Sequence, residues 1–296
     1  MRRRLKLNIA VVLFLCFTVL AAYLILTRDK GNSFQIQRDD TSPSAQTDTA
    51  PQKPEDTTPT PANDENEKET DTDTAAKDWT AFIEKYRGKE IIKVNTTEKA
   101  VALTFDAGAN GDGVEKVLPI LEENNIKGTF FLTGKFIEKY PEKVKAIMAS
   151  GGDIGNHSYD HPYLTHLSSE EIVVKIKGAE DAFAKLDGKF QPFFRSPYGD
   201  RNTSTLSTIS DTGYINIRWT VDSLGWKGTS GGQTKTSVEQ KVLKNSSPGA
   251  IIMMHLGSNP DDKSHLDSQA LPDIIAKLKA DGYEFMTLSE LLKLEK

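Results

Sequence analysis

His157 and His161 stand four residues apart in the run Gly155-Asn-His-Ser-Tyr-Asp-His-Pro162. That spacing brings two imidazoles to one point when they share a face of a helical turn. Neutral imidazole is also the commonest protein ligand for zinc and similar divalent ions. Alone, the pair reads more readily as two surface histidines that bind nothing than as a metal site. Other chemically unusual islands share the same stretch of chain: Thr104-Phe-Asp106-Ala-Gly108, Arg195-Ser-Pro-Tyr-Gly199, Trp219-Thr-Val-Asp222 through Trp226, and Met253-Met-His255-Leu-Gly257. Asp106, at the end of an apolar run, is either a turn former or a general base poised over a metal-activated water. Arg195 is either a surface charge or a guanidinium that holds a carboxylate ionised through bidentate hydrogen bonds. His255 is either a satisfied core histidine or an acid, with Asp222 as the carboxylate that favours its protonated form.

These residues need elements to place them. From Val101 to the C-terminus, short β-rich runs alternate with helical patterns. Val101–Phe105, Gly128–Leu132, Phe193–Phe194, Ile215–Trp219 and Ala250–Met254 read as buried strands. Between them, Val114–Asn124, Pro141–Ser150, Ser168–Leu186, Thr203–Thr212, Ser237–Asn245 and Leu271–Asp281 read as helices. Ser168 followed by Glu171 is a capping-box signature, and Gly151, Gly188, Gly213 and Gly282 stand where helices should stop. Alternation of this kind predicts a mainly parallel sheet with helices outside it. Asp106, His157, Arg195, Asp222 and His255 then all fall at or just after strand C-terminal ends, where barrels of this type carry their chemistry.

The 296 residues carry a net charge of -5, which gives no support for a nucleic-acid partner. The single cysteine, Cys16, excludes a disulfide framework or a cysteine-based zinc site. Met1-Arg-Arg-Arg-Leu-Lys6 is strongly basic, and Ile9 to Leu26 carries no charge. A run of that length spans a bilayer as a helix, with the basic flank kept in the cytoplasm. The expected organisation is a basic flank and membrane anchor over 1–28, a disordered linker over 29–78, a lead-in over 79–98 and a catalytic domain over 99–296. The linker follows from a Thr/Pro/Asp/Glu-rich composition that cannot bury enough apolar surface to order itself. The expected location is the cell membrane, single-pass, with the catalytic domain outside; a cleaved signal peptide is the alternative.

Taken in order, the islands resemble the motifs of the polysaccharide deacetylase (NodB-homology) family, carbohydrate esterase family four, from about Lys99 to Leu292. The resemblance implies a distorted (β/α) barrel and metal-dependent removal of acetyl groups from a glycan. It makes Asp106 the base, positioned by Arg195, with His157 and His161 on a divalent metal ion, zinc first, cobalt or nickel as alternatives. His255 becomes the acid, supported by Asp222. The Tyr198 N–H, beside Pro197, would help hold the oxyanion, and Trp226 and Leu256 would wall the acetyl pocket. Two positions depart from the family pattern: Ala107 replaces a metal-binding Asp, and Gly225 replaces the second Asp of the Asp/Trp motif. Either water or Asp112, reaching in from the loop, is the candidate to fill the vacant ligand position. With the anchor and tether, the implied substrate is a cell-wall glycan such as N-acetylated peptidoglycan strands. A catalytically silent carbohydrate-binding relative and an O-acetyl sugar esterase are the alternatives.

Overall fold

Ala100–Ala107 turns from apolar to polar along its length, and it forms the central strand β2, buried from end to end. The structure, a computed structural model, describes residues 73–108 and 110–296. Around β2 lie β1 (Glu90–Ile91), β3 (Thr129–Leu132), β4 (Asp153–Asn156), β5 (Phe193–Phe194), β6 (Ile215–Ile217), β7 (Val221–Asp222), β8 (Ala250–His255) and β9 (Glu284–Phe285). The strand order is β1-β6-β5-β4-β3-β2-β8-β7, with β9 added beside β2. Every ladder is parallel, as crossover helices between strands require. The chain beyond β1 bends back toward β8 through a single antiparallel bridge, Lys93 to Ala250. Thr220 Oγ1 also donates to the Ile92 carbonyl at 2.7 Å. No ladder joins β1 to β7 among the described residues. The expected barrel is therefore a parallel sheet curled partway toward closure.

Side chains of β2 sort by parity, as pleating demands. Val101, Leu103, Phe105 and Ala107 face one apolar cluster shared with the surrounding helices. Ala100 and Ala102 face a second cluster with Phe131, Phe193, Ile215, Ile217 and Ile251, against which Trp79 and Phe82 pack. Thr104 and Asp106 continue that second row. The inner face is thus apolar at its base and polar at its C-terminal rim, and the same alternation puts His157, Arg195 and His255 in phase with Gly155, Phe193 and Met253.

The predicted helices are present as Val114–Glu123 (α2), Pro141–Ala149 (α4), Ser169–Ala184 (α5), Thr203–Asp211 (α6), Lys235–Asn245 (α7) and Leu266–Ala280 (α8). The capping box at Ser168 and Glu171 is closed in both directions. Helices Asp73–Lys85 (α1), Gly134–Lys139 (α3) and Leu288–Leu292 (α9) were not expected, nor were β1, β4, β7 and β9. All four of those strands are short enough that composition alone does not separate them from loops. Helix α1 begins inside the segment expected to be linker, and Trp79 anchors it by an edge contact with Phe193 at 5.0 Å. The helix stop expected at Gly188 is made instead by Asp187, at φ 56°. The predicted anchor and most of the predicted linker lie outside the described residues, among which no helix is long and apolar enough to cross a membrane.

Candidate active site

The rim of the inner face gathers Asp106, Arg195, His157, His161 and His255, while their backbones come from four different strand ends. Arg195 is the largest fully buried side chain of the domain. Its Nη1 donates to Asp106 Oδ1 at 2.6 Å and to Thr104 Oγ1 at 2.9 Å, and its Nη2 donates to the Arg218 carbonyl at 3.1 Å. The clamp on Asp106 is therefore through one nitrogen, not the bidentate fork expected, because the second nitrogen ties the base to the β6–β7 connection. The guanidinium also sits 4.0 Å from the Phe131 ring centroid. Burial opposes ionisation of Asp106, but the Arg195 guanidinium leads the influences that outweigh it and hold the carboxyl below its ordinary value. Asp106 is consequently a carboxylate at neutral pH.

His157 follows β4 and is buried. Its Nδ1 lies 2.8 Å from the Arg195 carbonyl, to which it donates. That bond fixes the tautomer and leaves Nε2 free, 3.7 Å from Asp106 Oδ2. Metal-binding histidines make this same arrangement, with the far ring nitrogen donating to a backbone carbonyl. The expected helical turn is absent: residues 157–163 form a loop, and both Ser158 (φ 67°) and His161 (φ 61°) are left-handed. The loop is held by Asn156, whose Oδ1 accepts from the Ser158 N–H at 2.8 Å, and by Ser158 Oγ, which accepts from the His161 N–H at 3.2 Å. It still brings the two imidazoles to 4.8 Å between ring centroids. Burial, aided by the neighbouring His157, pulls His161 down to about 3, and burial lowers His157 as well, so both rings are neutral and available as ligands.

Tyr198 also has a left-handed backbone, at φ 58°, and Leu224 follows suit at φ 62°. Non-glycine residues in that region carry strain, and they gather where function holds them. The Tyr198 ring meets His161 edge-on at 4.3 Å and stacks on Tyr163 at 4.2 Å, forming an exposed aromatic ledge beside the histidines. Asp200 staples this loop to the histidine loop by accepting from Thr165 N and Oγ1 at 2.8 and 2.9 Å. Trp226 stands on the opposite side, half-exposed, 6.4 Å from the His255 ring.

Two expected residues around His255 are placed differently. Leu256 is fully buried in the helix-facing cluster with Ile252 and Met254, because strand parity turns it away from the pocket that His255 faces. Asp222 spends one oxygen on its own turn, accepting from Leu224 N at 2.8 Å, and burial raises its carboxyl above the ordinary value. Asp267, which no sequence pattern singles out, is the carboxylate next to His255. Its Oδ2 accepts from the His255 backbone N–H at 2.9 Å and lies 3.5 Å from His255 Nδ1. Burial tends to lower His255, but the adjacent Asp267 carboxylate leads the opposing influences, with Asp106 and Asp222 adding to it, and the ring is raised above its ordinary value.

Asp112 is exposed and turned to Ser258, whose Oγ donates to its Oδ2 at 2.8 Å. It lies in the 110–113 loop, which Gly113 docks on the end of β8 by donating to the Leu256 carbonyl at 2.8 Å; a Cβ there would stand 2.4 Å from that oxygen. The substitute-ligand role is not supported by this placement. Asp112→Ala should leave the metal content of the purified protein unchanged. A fall in metal content, measured by elemental analysis, would restore Asp112 as a ligand.

Among the described residues, no group of three or more His, Cys, Asp or Glu side chains is arranged to hold a metal ion. Two neutral imidazoles, one with its Nε2 freed by a backbone bond, would nonetheless offer two nitrogen donors suited to a divalent cation.

The family model described as polysaccharide deacetylase matches residues 93–217. A peptidoglycan-N-acetylglucosamine deacetylase of Bacillus cereus is 36% identical over 220 residues, covering 74% of this chain and 77% of that protein. A second one, from Listeria monocytogenes, is 36% identical over 195 residues, covering 66% of this chain but only 39% of its own length. Among solved structures, a family-four carbohydrate esterase pseudoenzyme from Bacillus anthracis superposes with a TM-score of 0.65 at 28% identity, covering 72% of each chain.

Proposed function

The chain belongs to the polysaccharide deacetylase family of carbohydrate-deacetylating enzymes, and from that premise we propose that it removes N-acetyl groups from a cell-wall glycan, peptidoglycan strands first. The observation that carries this reading is the buried Arg195–Asp106 pair set beside the imidazoles of His157, His161 and His255. A divalent cation held by His157 and His161, zinc first and cobalt or nickel as alternatives, would supply an activated water and polarise the acetyl carbonyl. Asp106, kept ionised by Arg195, takes the proton from the attacking water. The Tyr198 N–H offers a donor to the oxygen that becomes negative. His255 passes a proton to the amine nitrogen as the C–N bond breaks, since an unprotonated amine is a poor leaving group. Tyr163 with Tyr198 on one side, and Trp226 on the other, give flat apolar faces on which pyranose rings can stack.

The two named deacetylase relatives, and an expected anchor with a long polar linker, favour a polymer at the cell surface over a diffusing oligosaccharide. We place the protein at the membrane with this domain outside. One observation favours a second reading: Ala107 removes a carboxylate from the metal site, and a structural neighbour is described as a pseudoenzyme. Acetate release from N-acetylated peptidoglycan strands, with the divalent ion supplied, separates the two. Turnover is expected. No acetate from any N- or O-acetylated glycan, with glycan binding retained, would make the protein a silent binder. Release from O-acetylated xylan alone would make it an esterase.

A further inference from the structure

Asp267 lies in the first turn of α8 and is 5% exposed. Its Oδ2 caps the His255 backbone N–H and stands 3.5 Å from His255 Nδ1. Two side-chain atoms here are buried without a hydrogen-bond partner among the described residues: His255 Nδ1 and Asp267 Oδ1. Unpaired buried polar atoms are costly, and these two belong to the same pair of residues. A small rotation of either side chain joins imidazole to carboxylate.

Gly225 explains why the carboxylate can be there. A Cβ at 225 would lie 2.3 Å from Asp267 Oδ1 and 2.5 Å from its Cγ. Gly225 is not among the positive-φ glycines, so its backbone conformation is open to any residue. Space for Asp267 is what the glycine supplies. Any side chain at 225 would push the carboxylate off His255.

Resting on the reading that His255 is the acid, we propose that Asp267 is its positioning residue, installed in the space that Gly225 leaves open. The carboxylate holds the imidazole with its proton on Nδ1 and turns Nε2 toward the substrate. When the C–N bond breaks, the Nε2 proton moves to the amine nitrogen, and the neutral ring left behind keeps its Nδ1 proton against Asp267. Asp222, bound to its own turn, is left to act on the ring through space.

The test uses the full-length, metal-loaded protein with 15N-labelled histidine, reading the His255 ring by long-range proton–nitrogen spectra alongside acetate release. The parent should show a protonated Nδ1. Asp267→Ala should lose that signal and lower kcat about 10- to 100-fold with little change in KM. Asp267→Asn keeps the volume without the charge and guards against a variant that fails to fold; it should fall in the same direction. Gly225→Asp alone should be destabilised by collision with Asp267, whereas Gly225→Asp combined with Asp267→Ala should recover much of the lost kcat by presenting a carboxylate from the other side. A folded Asp267→Ala or Asp267→Asn protein with parental kcat and an intact Nδ1 proton would overturn the assignment. If the parent releases no acetate but the Nδ1 proton still depends on Asp267, the deacetylase reading fails while the positioning role stands.

Discussion

Asp106→Asn should lower acetate release by about 10²- to 10⁴-fold, the usual worth of a general base, while the metal content stays at its parental level. The substitution keeps volume and hydrogen-bonding shape, and Asn Oδ1 can still accept from Arg195. What it removes is the charge. Two consequences follow with different readouts. The water loses its proton acceptor, which is a loss in kcat. The Arg195 guanidinium, with no exposure, is left without its counter-ion, and breaking a buried ion pair costs about 3–5 kcal/mol. The variant should therefore melt at lower temperature and still be folded when assayed in the cold. Near-parental turnover in a folded Asp106→Asn protein would exclude this carboxylate as the base. An equal loss of activity accompanied by loss of metal would instead make Asp106 a ligand, a role its 3.7 Å approach to His157 Nε2 leaves within reach.

The apparatus around Asp106 was legible in the sequence because it depends on strand ends. A run such as Val101–Phe105 has one outcome, a buried strand, and pleating then fixes that Asp106 shares a face with Thr104. The same parity argument, carried along Ala250–His255, already separates His255 from Leu256; reading Leu256 as a pocket wall set the pattern implied by resemblance above the alternation of the strand. The histidine loop was harder. Spacing of four suggests a helical turn, yet the two rings converge through left-handed backbone at Ser158 and His161, conformations that non-glycine residues seldom adopt and that no local pattern announces. Asp267 was invisible for a different reason. It reads as an ordinary acidic residue in the first turn of a helix, where the dipole favours one, and its meeting with His255 depends on how α8 crosses the end of β8. The one trace was negative: a glycine at 225 where the family pattern has an acid. An absence of that kind gains meaning only when the space it leaves is seen to be filled.

His157→Ala should lose metal and activity together, which sets it apart from both Asp106→Asn and the Asp267 variants. With Ala107 where the family pattern has a carboxylate, the proposed site has two imidazoles, and removing one would leave a single proposed side-chain donor. Substitutions one layer out from a metal commonly cost about 10- to 100-fold in affinity, so loss of one of the two proposed ligands should exceed about 100-fold and leave the purified full-length protein essentially metal-free. Part of the effect reaches further, because the His157 ring also ties Nδ1 to the Arg195 carbonyl at 2.8 Å; its removal loosens the turn that presents Tyr198. His157→Gln, which can still reach that carbonyl with its side-chain amide, should restore more of the melting temperature than of the metal. Retention of stoichiometric metal by a folded His157→Ala protein would mean that the cation is bound elsewhere, and the chemistry assigned to this rim would lose its source of nucleophile.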